Sequence, residues 1–311
     1  MSAATGSAAL TQTRQGRRAP GNRADGPSVW MAGPALVLFG VFAVVPLIGV
    51  AVLSFMSWDG LGDPVWAGAE NWGRTLTDPV TQNAMRLTVV LSVATWLFQT
   101  PLSLLLGVFM AGRQRYRAVL SVLYFLPLLF SAAAVAIAYR ALLDPNFGLG
   151  TALGISWLSQ DWIGSPDLAL WVVLFVISWS FVPFHSLLYQ GGVRQIPKSM
   201  YEAALLDGAG RVQQFFYITL PQLKYTIVTS STLMIVGSLT YFDLIFVLTG
   251  GGPGNATRIL PLDMYLTGFR SYDMGKASVI AVILVVVGLA VSIGLNRFSG
   301  ASKMDSQMEG V

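Results

Sequence analysis

Cysteine is absent from the 311-residue chain, so a disulfide framework, a thiol nucleophile and a Cys-ligated metal are all excluded. Histidine occurs once, at His185, which leaves no His pair for a metal centre and no H-E-x-x-H helix. Charge is scarce too. Asp, Glu, Lys and Arg make up 11% of the residues, less than half the roughly 25% of a soluble domain. No G-x-x-x-x-G-K-[ST] phosphate loop is present, so the chain is not expected to hydrolyse ATP or to bind a cofactor of its own. What replaces these groups is apolar surface, at 54% of residues.

That surface is concentrated in long runs. A helix needs about 20 apolar residues to cross the hydrocarbon core, and six runs approach this near residues 31–56, 85–110, 118–140, 168–190, 225–248 and 276–296. Backbone groups in lipid must be satisfied internally, which leaves helices or closed barrels. Barrel strands alternate over about 10 residues, and these runs do not. The expected fold class is all-α, a polytopic membrane protein with six transmembrane helices. Pro46, Pro101, Pro127 and Pro183 fall inside the runs and predict kinks.

The first 29 residues are polar and Gly/Ala/Ser-rich, with Arg14, Arg17, Arg18 and Arg23, and lack an apolar pattern. Residues 1–29 are expected to be a disordered tail, 30–297 the membrane domain and 298–311 a second tail. The uncharged run from Met31 to Trp58 is too long for the apolar stretch of a signal peptide, about 7–15 residues, and is expected to stay in the membrane. Lys and Arg set the orientation. The N-terminal tail carries four, the second loop three (Arg113, Arg115, Arg117), the fourth loop four (Arg194, Lys198, Arg211, Lys224) and the C-terminal tail two (Arg297, Lys303). The opposite side holds six: Arg74, Arg86, Arg140, Arg258, Arg270 and Lys276. Both termini and the fourth loop, residues 191–224, are therefore expected to be cytoplasmic. Trp66, Trp72, Trp157 and Trp162 fall in the opposite loops, as expected of interfacial rings.

The fourth loop combines several local signals. Pro197 suits a first helical turn, and Met200, Tyr201, Ala204 and Leu205 pair at i, i+4 spacing on one face. Gly208 or Gly210 can end that helix. A second stretch holds Val212, Phe215 and Phe216, and Pro221 precedes the fifth run. On shape alone, a helix resting on lipid headgroups and a knob filling a groove of a cytoplasmic partner are equally good readings. The residues then show a resemblance: Glu202-Ala203-Ala204, Gly208, Ile218 and Leu220-Pro221 fall at the spacing of the EAA loop of binding-protein-dependent ABC importer permeases. Phe242-Asp243 followed by Leu248-Thr249-Gly250-Gly251-Gly252-Pro253 resembles the sugar-type subfamily, which includes maltose and glycerol-phosphate permease subunits. Gly33-Pro34-Ala35 and Ser57-Trp58-Asp59-Gly60 agree with it.

The resemblance covers about residues 30 to 297 and implies the type I ABC importer permease fold in a bacterial cytoplasmic membrane. It implies a non-catalytic permease subunit working with a second permease subunit, a dimer of ATPase subunits and an extracytoplasmic sugar-binding protein, surrounded by membrane lipid and without nucleic acid. The helix at Glu202 would dock in a groove of the ATPase, with Glu202 facing an arginine there. By the same resemblance, Trp179, Phe181, Phe184, Thr240 and Tyr241 would line the sugar site, and Asp243 is added because a carboxylate inside a span suggests function. Each aromatic residue reads equally as packing or as an interfacial anchor, and His185 as a bond to a neighbouring helix. The alternative function is an ion-coupled secondary transporter, for which only Asp243 is well placed. An intramembrane serine hydrolase fails because adjacent His185 and Ser186 do not face each other on a helix.

Overall fold

The computed structural model describes residues 29–112 and 114–299. The two tail segments, with Arg14, Arg17, Arg18, Arg23 and Lys303, and the loop residue Arg113 lie outside the described residues. The chain divides into two compact units, residues 1–48 and 49–311.

In the first unit, helix α1 (Val29–Phe39) passes through a π turn at Gly40–Val44 into α2 (Val45–Leu53). The π turn has a physical cause. Pro46 has no N–H and its ring presses on the carbonyl four residues back, at Phe42, inside that turn. The wider turn, closed by Val45 N–H to Gly40 O, absorbs the clash.

The second unit, which begins within α2, then carries a two-stranded antiparallel ribbon, β1 (Met56–Ser57) on β2 (Val65–Trp66), with Met56 opposite Trp66. Helices α3 (Glu70–Thr77), α4 (Pro79–Met110) and α5 (Arg115–Phe125) follow. A 3-10 turn at Leu126–Leu129 leads to α6 (Ala132–Leu142), α7 (Leu149–Leu153) and α8 (Pro166–Gln195). Next come the short helices α9 (Lys198–Leu206), α10 (Arg211–Gln214) and α11 (Leu220–Gln222). The chain continues through α12 (Lys224–Ser238), α13 (Phe242–Leu248), α14 (Leu260–Tyr265) and α15 (Met274–Ser299). Among the described residues, four helical stretches are long and apolar enough to cross a membrane, and two bent pairs raise the number to six when each pair counts as one span.

The two bends differ in origin. Arg115–Leu129 and Ala132–Leu142 meet at 97°. There Pro127 tightens the chain into the 3-10 turn, and Ser131 restarts the helix by accepting Ala134 N–H at 3.2 Å. Lys224–Ser238 and Phe242–Leu248 meet at 49° with no proline. Here Ser238 Oγ donates to Ile235 O (2.6 Å) and Thr240 Oγ1 to Gly237 O (2.8 Å), so side chains take over carbonyls that the helix would use. Conversely, α4 and α8 remain unbroken helices through Pro101 and Pro183.

The pair α4 and α8 forms the centre. Gly107 permits their closest approach, because a Cβ there would lie 2.7 Å from Ser186 O and from Tyr189 Cβ. Gln190 Nε2 caps the end of α4 by donating to Met110 O at 2.8 Å. Helix α12 joins α4 through Trp96 Nε1–H to Ser231 Oγ (2.9 Å) and the Ser92–Ser238 hydroxyl pair. Leu91, Val173, Val176, Ile177, Ile245 and Leu262 anchor the main apolar cluster. At the β-ribbon end, Asp78 caps α4 by accepting Val80 N–H and also pairs with Lys276, while Arg74 pairs with Asp273. Those two ion pairs bind the start of α15 to α3 and α4.

Candidate functional site

Helix α9 stands at the end of the bundle opposite the β-ribbon. Its C-terminus is a Schellman motif: Gly208 N–H donates to Leu205 O (3.1 Å) and Ala209 N–H to Ala204 O (2.8 Å). Such a turn requires the left-handed region, and Gly208 takes φ +80° without a Cβ penalty. Gly210 does not end α9 but starts α10, donating its N–H to Gln213 Oε1 at 2.8 Å. Behind α9, Tyr201 Oη lies 2.9 Å from Thr219 Oγ1, a buried hydroxyl in the π turn Phe215–Thr219. Pro221 explains that turn as Pro46 explains the first one, since it presses on Tyr217 O and the turn closes with Leu220 N–H to Phe215 O.

The EAA-loop positions divide by direction. Leu220 points inward against the cluster of Leu104, Tyr189 and Leu223, and Ala204 and Ile218 are half-buried. Glu202, Ala203 and Pro221 are exposed, and Glu202 makes no ion pair among the described residues. The single apolar face expected for α9 is split. Tyr201 and Ala204 turn inward, whereas Leu205 and Leu206 are 63% and 90% exposed beside exposed Val212, Phe216 and Tyr217. The surface is therefore apolar with two exposed carboxylates, Glu202 and Asp207, that make no ion pair among the described residues, on a turn locked by two backbone bonds.

The second site is a cavity of about 360 Å³ at the break between α12 and α13. Phe181, Phe184, Thr240, Tyr241 and Asp243 all line it, together with His185. The Phe181 and Tyr241 rings lie 5.3 Å apart and tilted by 35°. Asp243 sits in the first turn of α13, where the helix dipole favours a carboxylate, and is exposed. Trp179 is not among the lining residues. Its ring packs edge-on against Tyr139 at 5.4 Å and borders a separate apolar cavity with Phe98, Tyr124 and Phe175. On α8, positions 181, 184 and 185 share a face, and 179 lies about 200° around the helix from 181 at 100° per residue. Trp179, expected in the pocket from the family resemblance, thus points away from Phe181, as residues two apart on a helix do.

The glycine-rich stretch after α13 folds as a compact loop. Gly250 (φ +62°) and Gly251 (φ +92°) turn the chain, and Gly250 N–H closes on Ile245 O. Thr257, fully buried, is its hub: its Oγ1 meets Thr249 Oγ1 at 2.7 Å and donates to Gly252 O at 2.8 Å. Beside it, Arg258 Nε and Nη2 grip the buried Asp263 carboxylate at 2.8 and 2.7 Å. In the sequence, Arg258 counts only towards the membrane orientation, and Asp263 carries no assigned role. The signal was an acid five residues after an arginine at the start of a helix.

Comparison with known proteins bears on the family and the fold. Residues 99–301 match the model of the family described as binding-protein-dependent transport system inner membrane component. The multiple sugar-binding transport system permease protein MsmF of Streptococcus mutans is 32% identical over 262 residues, covering 83% of this chain and 90% of its own. The trehalose/maltose transport system permease protein MalF of Thermococcus litoralis is 30% identical over 274 residues, covering 85% and 92%. The crystal structure of a bacterial ABC transporter importing the acidic polysaccharide alginate contains a chain of the same fold, with a TM-score of 0.77 at 23% identity over 87% of this chain and 94% of that one. The chain belongs to the binding-protein-dependent transport system inner membrane components and is a multi-pass permease subunit of an ABC importer.

Proposed function

We propose that this permease moves a sugar or short oligosaccharide into a bacterial cell, and that the cavity at the break of α12 and α13 is its half of the sugar site. The observation that carries the reading is the lining itself. Phe181 and Tyr241 offer aromatic faces to the apolar C–H face of a sugar ring, and Thr240 and Asp243 offer hydrogen-bonding groups to its hydroxyls. Small-molecule sites span roughly 300–1,000 Å³, so a cavity of about 360 Å³ suits one or two sugar units. Relatives named for multiple sugars, for trehalose and maltose and for arabinooligosaccharides support the substrate class.

The chain lies in the cytoplasmic membrane with both termini and α9 inside the cell, the membrane domain spanning residues 30–297. A sugar-binding protein delivers the substrate from outside, and a second permease subunit completes the pore. A dimer of ATPase subunits hydrolyses ATP and receives α9 in a surface groove. The exposed Leu205, Leu206 and Phe216 fill that groove, and Glu202 meets an arginine through a charge-assisted bond. An ion-coupled carrier finds no support in the family relationship. The test is capture of the tagged subunit from native membranes followed by mass spectrometry. An ATPase, a second permease and a sugar-binding protein are expected as companions. Isolation of the subunit alone, under conditions that keep other membrane complexes whole, would refute the assembly.

A further inference from the structure

His185 is the cavity-lining residue that the sugar reading leaves without a task. It is 3% exposed, yet its ring borders the cavity. One edge of that ring is already committed. Nδ1 lies 3.0 Å from Ser230 Oγ on α12, and the Phe184 ring packs edge-on against it at 5.1 Å. Those two contacts fix the ring plane. The other nitrogen, Nε2, makes no hydrogen bond among the described residues, and it is not one of the polar atoms sealed from solvent. A buried imidazole that lines a cavity, with one nitrogen tied and the other without a partner, is a preset polar group.

We infer that His185 is a specificity-determining residue of the permease, binding a hydroxyl of the transported sugar through Nε2 while Ser230 holds the ring through Nδ1. The inference rests on the reading of the cavity as the sugar site. Its chemistry follows from the imidazole. In the neutral ring, one nitrogen donates and the other accepts. If the Ser230 hydroxyl donates to Nδ1, Nε2–H donates to the cavity. If Nδ1–H donates to Ser230 Oγ, Nε2 accepts from the cavity. A hydroxyl satisfies either state, because it both donates and accepts. Asp243 lines the same cavity and as a carboxylate accepts only, so the lining offers the sugar's hydroxyls an acceptor as well as the imidazole. The set therefore favours a ring that carries a hydroxyl at this point. It disfavours a substrate whose group at this point is methylated or deoxygenated, which leaves a buried nitrogen unpaired.

The test uses two amides that each imitate one nitrogen. An Asn side chain places its amide near Nδ1 and a Gln side chain near Nε2. The assembled importer with its binding protein is reconstituted in proteoliposomes, and ATP-driven uptake of labelled maltose, trehalose or arabinotriose is followed, using whichever the unmodified importer takes up fastest. His185→Gln is expected to stay within about threefold of the unmodified rate, while His185→Asn and His185→Ala fall roughly five- to tenfold, the loss of one hydrogen bond made to the sugar. The reverse order, with His185→Asn active and His185→Gln inactive, would assign the ring a purely structural bond to Ser230 and overturn the inference, as would equal loss in both. Tyr241→Ala in the same assay separates the two levels. Slow uptake by Tyr241→Ala with normal uptake by every His185 variant overturns the role of His185 alone, whereas normal uptake by all of them overturns the cavity as the sugar site. Because the chain has no cysteine, His185→Cys adds a readout independent of rate. The introduced thiol is expected to react with a small methanethiosulfonate and to be protected by the same sugar, and modification unaffected by sugar would count against the inference.

Discussion

Replacing Gly208 separates two reasons for a glycine in the turn that ends α9, the turn proposed to dock on the ATPase. A Cβ at this position would meet nothing within 4 Å, so no clash inside the chain forbids a side chain. The backbone does: at φ +80° an ordinary L-residue pays about 1–2 kcal/mol. That cost falls on the turn made by Gly208 N–H to Leu205 O and Ala209 N–H to Ala204 O. At roughly 1.4 kcal/mol per factor of ten, the population holding the turn falls by about 5- to 30-fold relative to frayed forms. Asn enters the left-handed region more readily than other non-glycine residues, and a β-branched residue least readily. The expected order of ATP-driven uptake by the reconstituted importer is therefore Gly208, then Gly208→Asn, then Gly208→Ala, then Gly208→Val, with the last at least tenfold down. Co-purification of the ATPase should fall in the same order. Gly208→Asp adds a charge to the exposed face and should be worse than Gly208→Asn, although the two side chains are nearly the same size. Uptake by Gly208→Val at the unmodified rate would refute the argument that the turn conformation matters for coupling.

Three other substitutions test the scaffold and the cavity. Gly107→Val forces a side chain against Ser186 O and Tyr189 Cβ on α8, and should lower stability by about 1–3 kcal/mol, read as a lower thermal midpoint in detergent; an unchanged midpoint would show that α4 and α8 can separate freely. At Asp78, burial raises the carboxyl pKa, but the Lys276 hydrogen bond and the Val80 N–H outweigh it and hold the group below its ordinary value. A carboxylate lowered in the folded state stabilises above its unfolded pKa of about 3.9 and loses that contribution as the pH falls through the folded value. Asp78→Asn should thus melt earlier than the unmodified chain at pH 7, and the gap should narrow below about pH 4; a gap independent of pH would remove the ion pair with Lys276 as its cause. Tyr241→Ala should slow uptake while the complex still assembles, and unchanged uptake would remove Tyr241 from the sugar contacts.

The spans were legible in the sequence because apolar length is a property of composition. Each expected run overlaps a helix or bent pair, from the 85–110 run inside α4 to the 276–296 run inside α15. The turn at Gly208 was legible as one of two candidates, and only backbone geometry separated it from Gly210. Breaks were less legible. Proline is a visible cause, and Pro127 does mark the 97° bend, but Pro101 and Pro183 leave their helices unbroken. The 49° break after Ser238 arises from hydroxyls of Ser238 and Thr240 bonding back to the helix, a choice that Ser and Thr in other spans make without a break. Of the six residues proposed for the sugar site, five line one cavity, and Trp179 lines another because its helical phase turns it away.

The arrangement of these parts explains how one chain can link the α9 knob to the cavity. From Thr219, which Tyr201 touches, the chain runs through α11 and α12 to Thr240 with no extended segment. Helix α12 alone spans 15 residues, about 22 Å at 1.5 Å per residue. Hydrogen-bonded helix is stiff along its axis, so a push at α9 reaches the far end of α12 as a displacement rather than as local unfolding. At that far end the helix is broken, and the residues at the break, Thr240 and Tyr241, line the cavity. A continuous helix would carry the motion past the cavity as a rigid rod, whereas a break there lets α12 move against α13, which is held in the apolar core by Leu244, Ile245 and Leu248. The tie between His185 and Ser230 crosses from α12 to α8 on the near side of that break. Movement of α12 therefore shifts Ser230, the anchor of the His185 ring, relative to Tyr241 and Asp243, which belong to the start of α13, and so changes the setting of the groups proposed to hold the sugar.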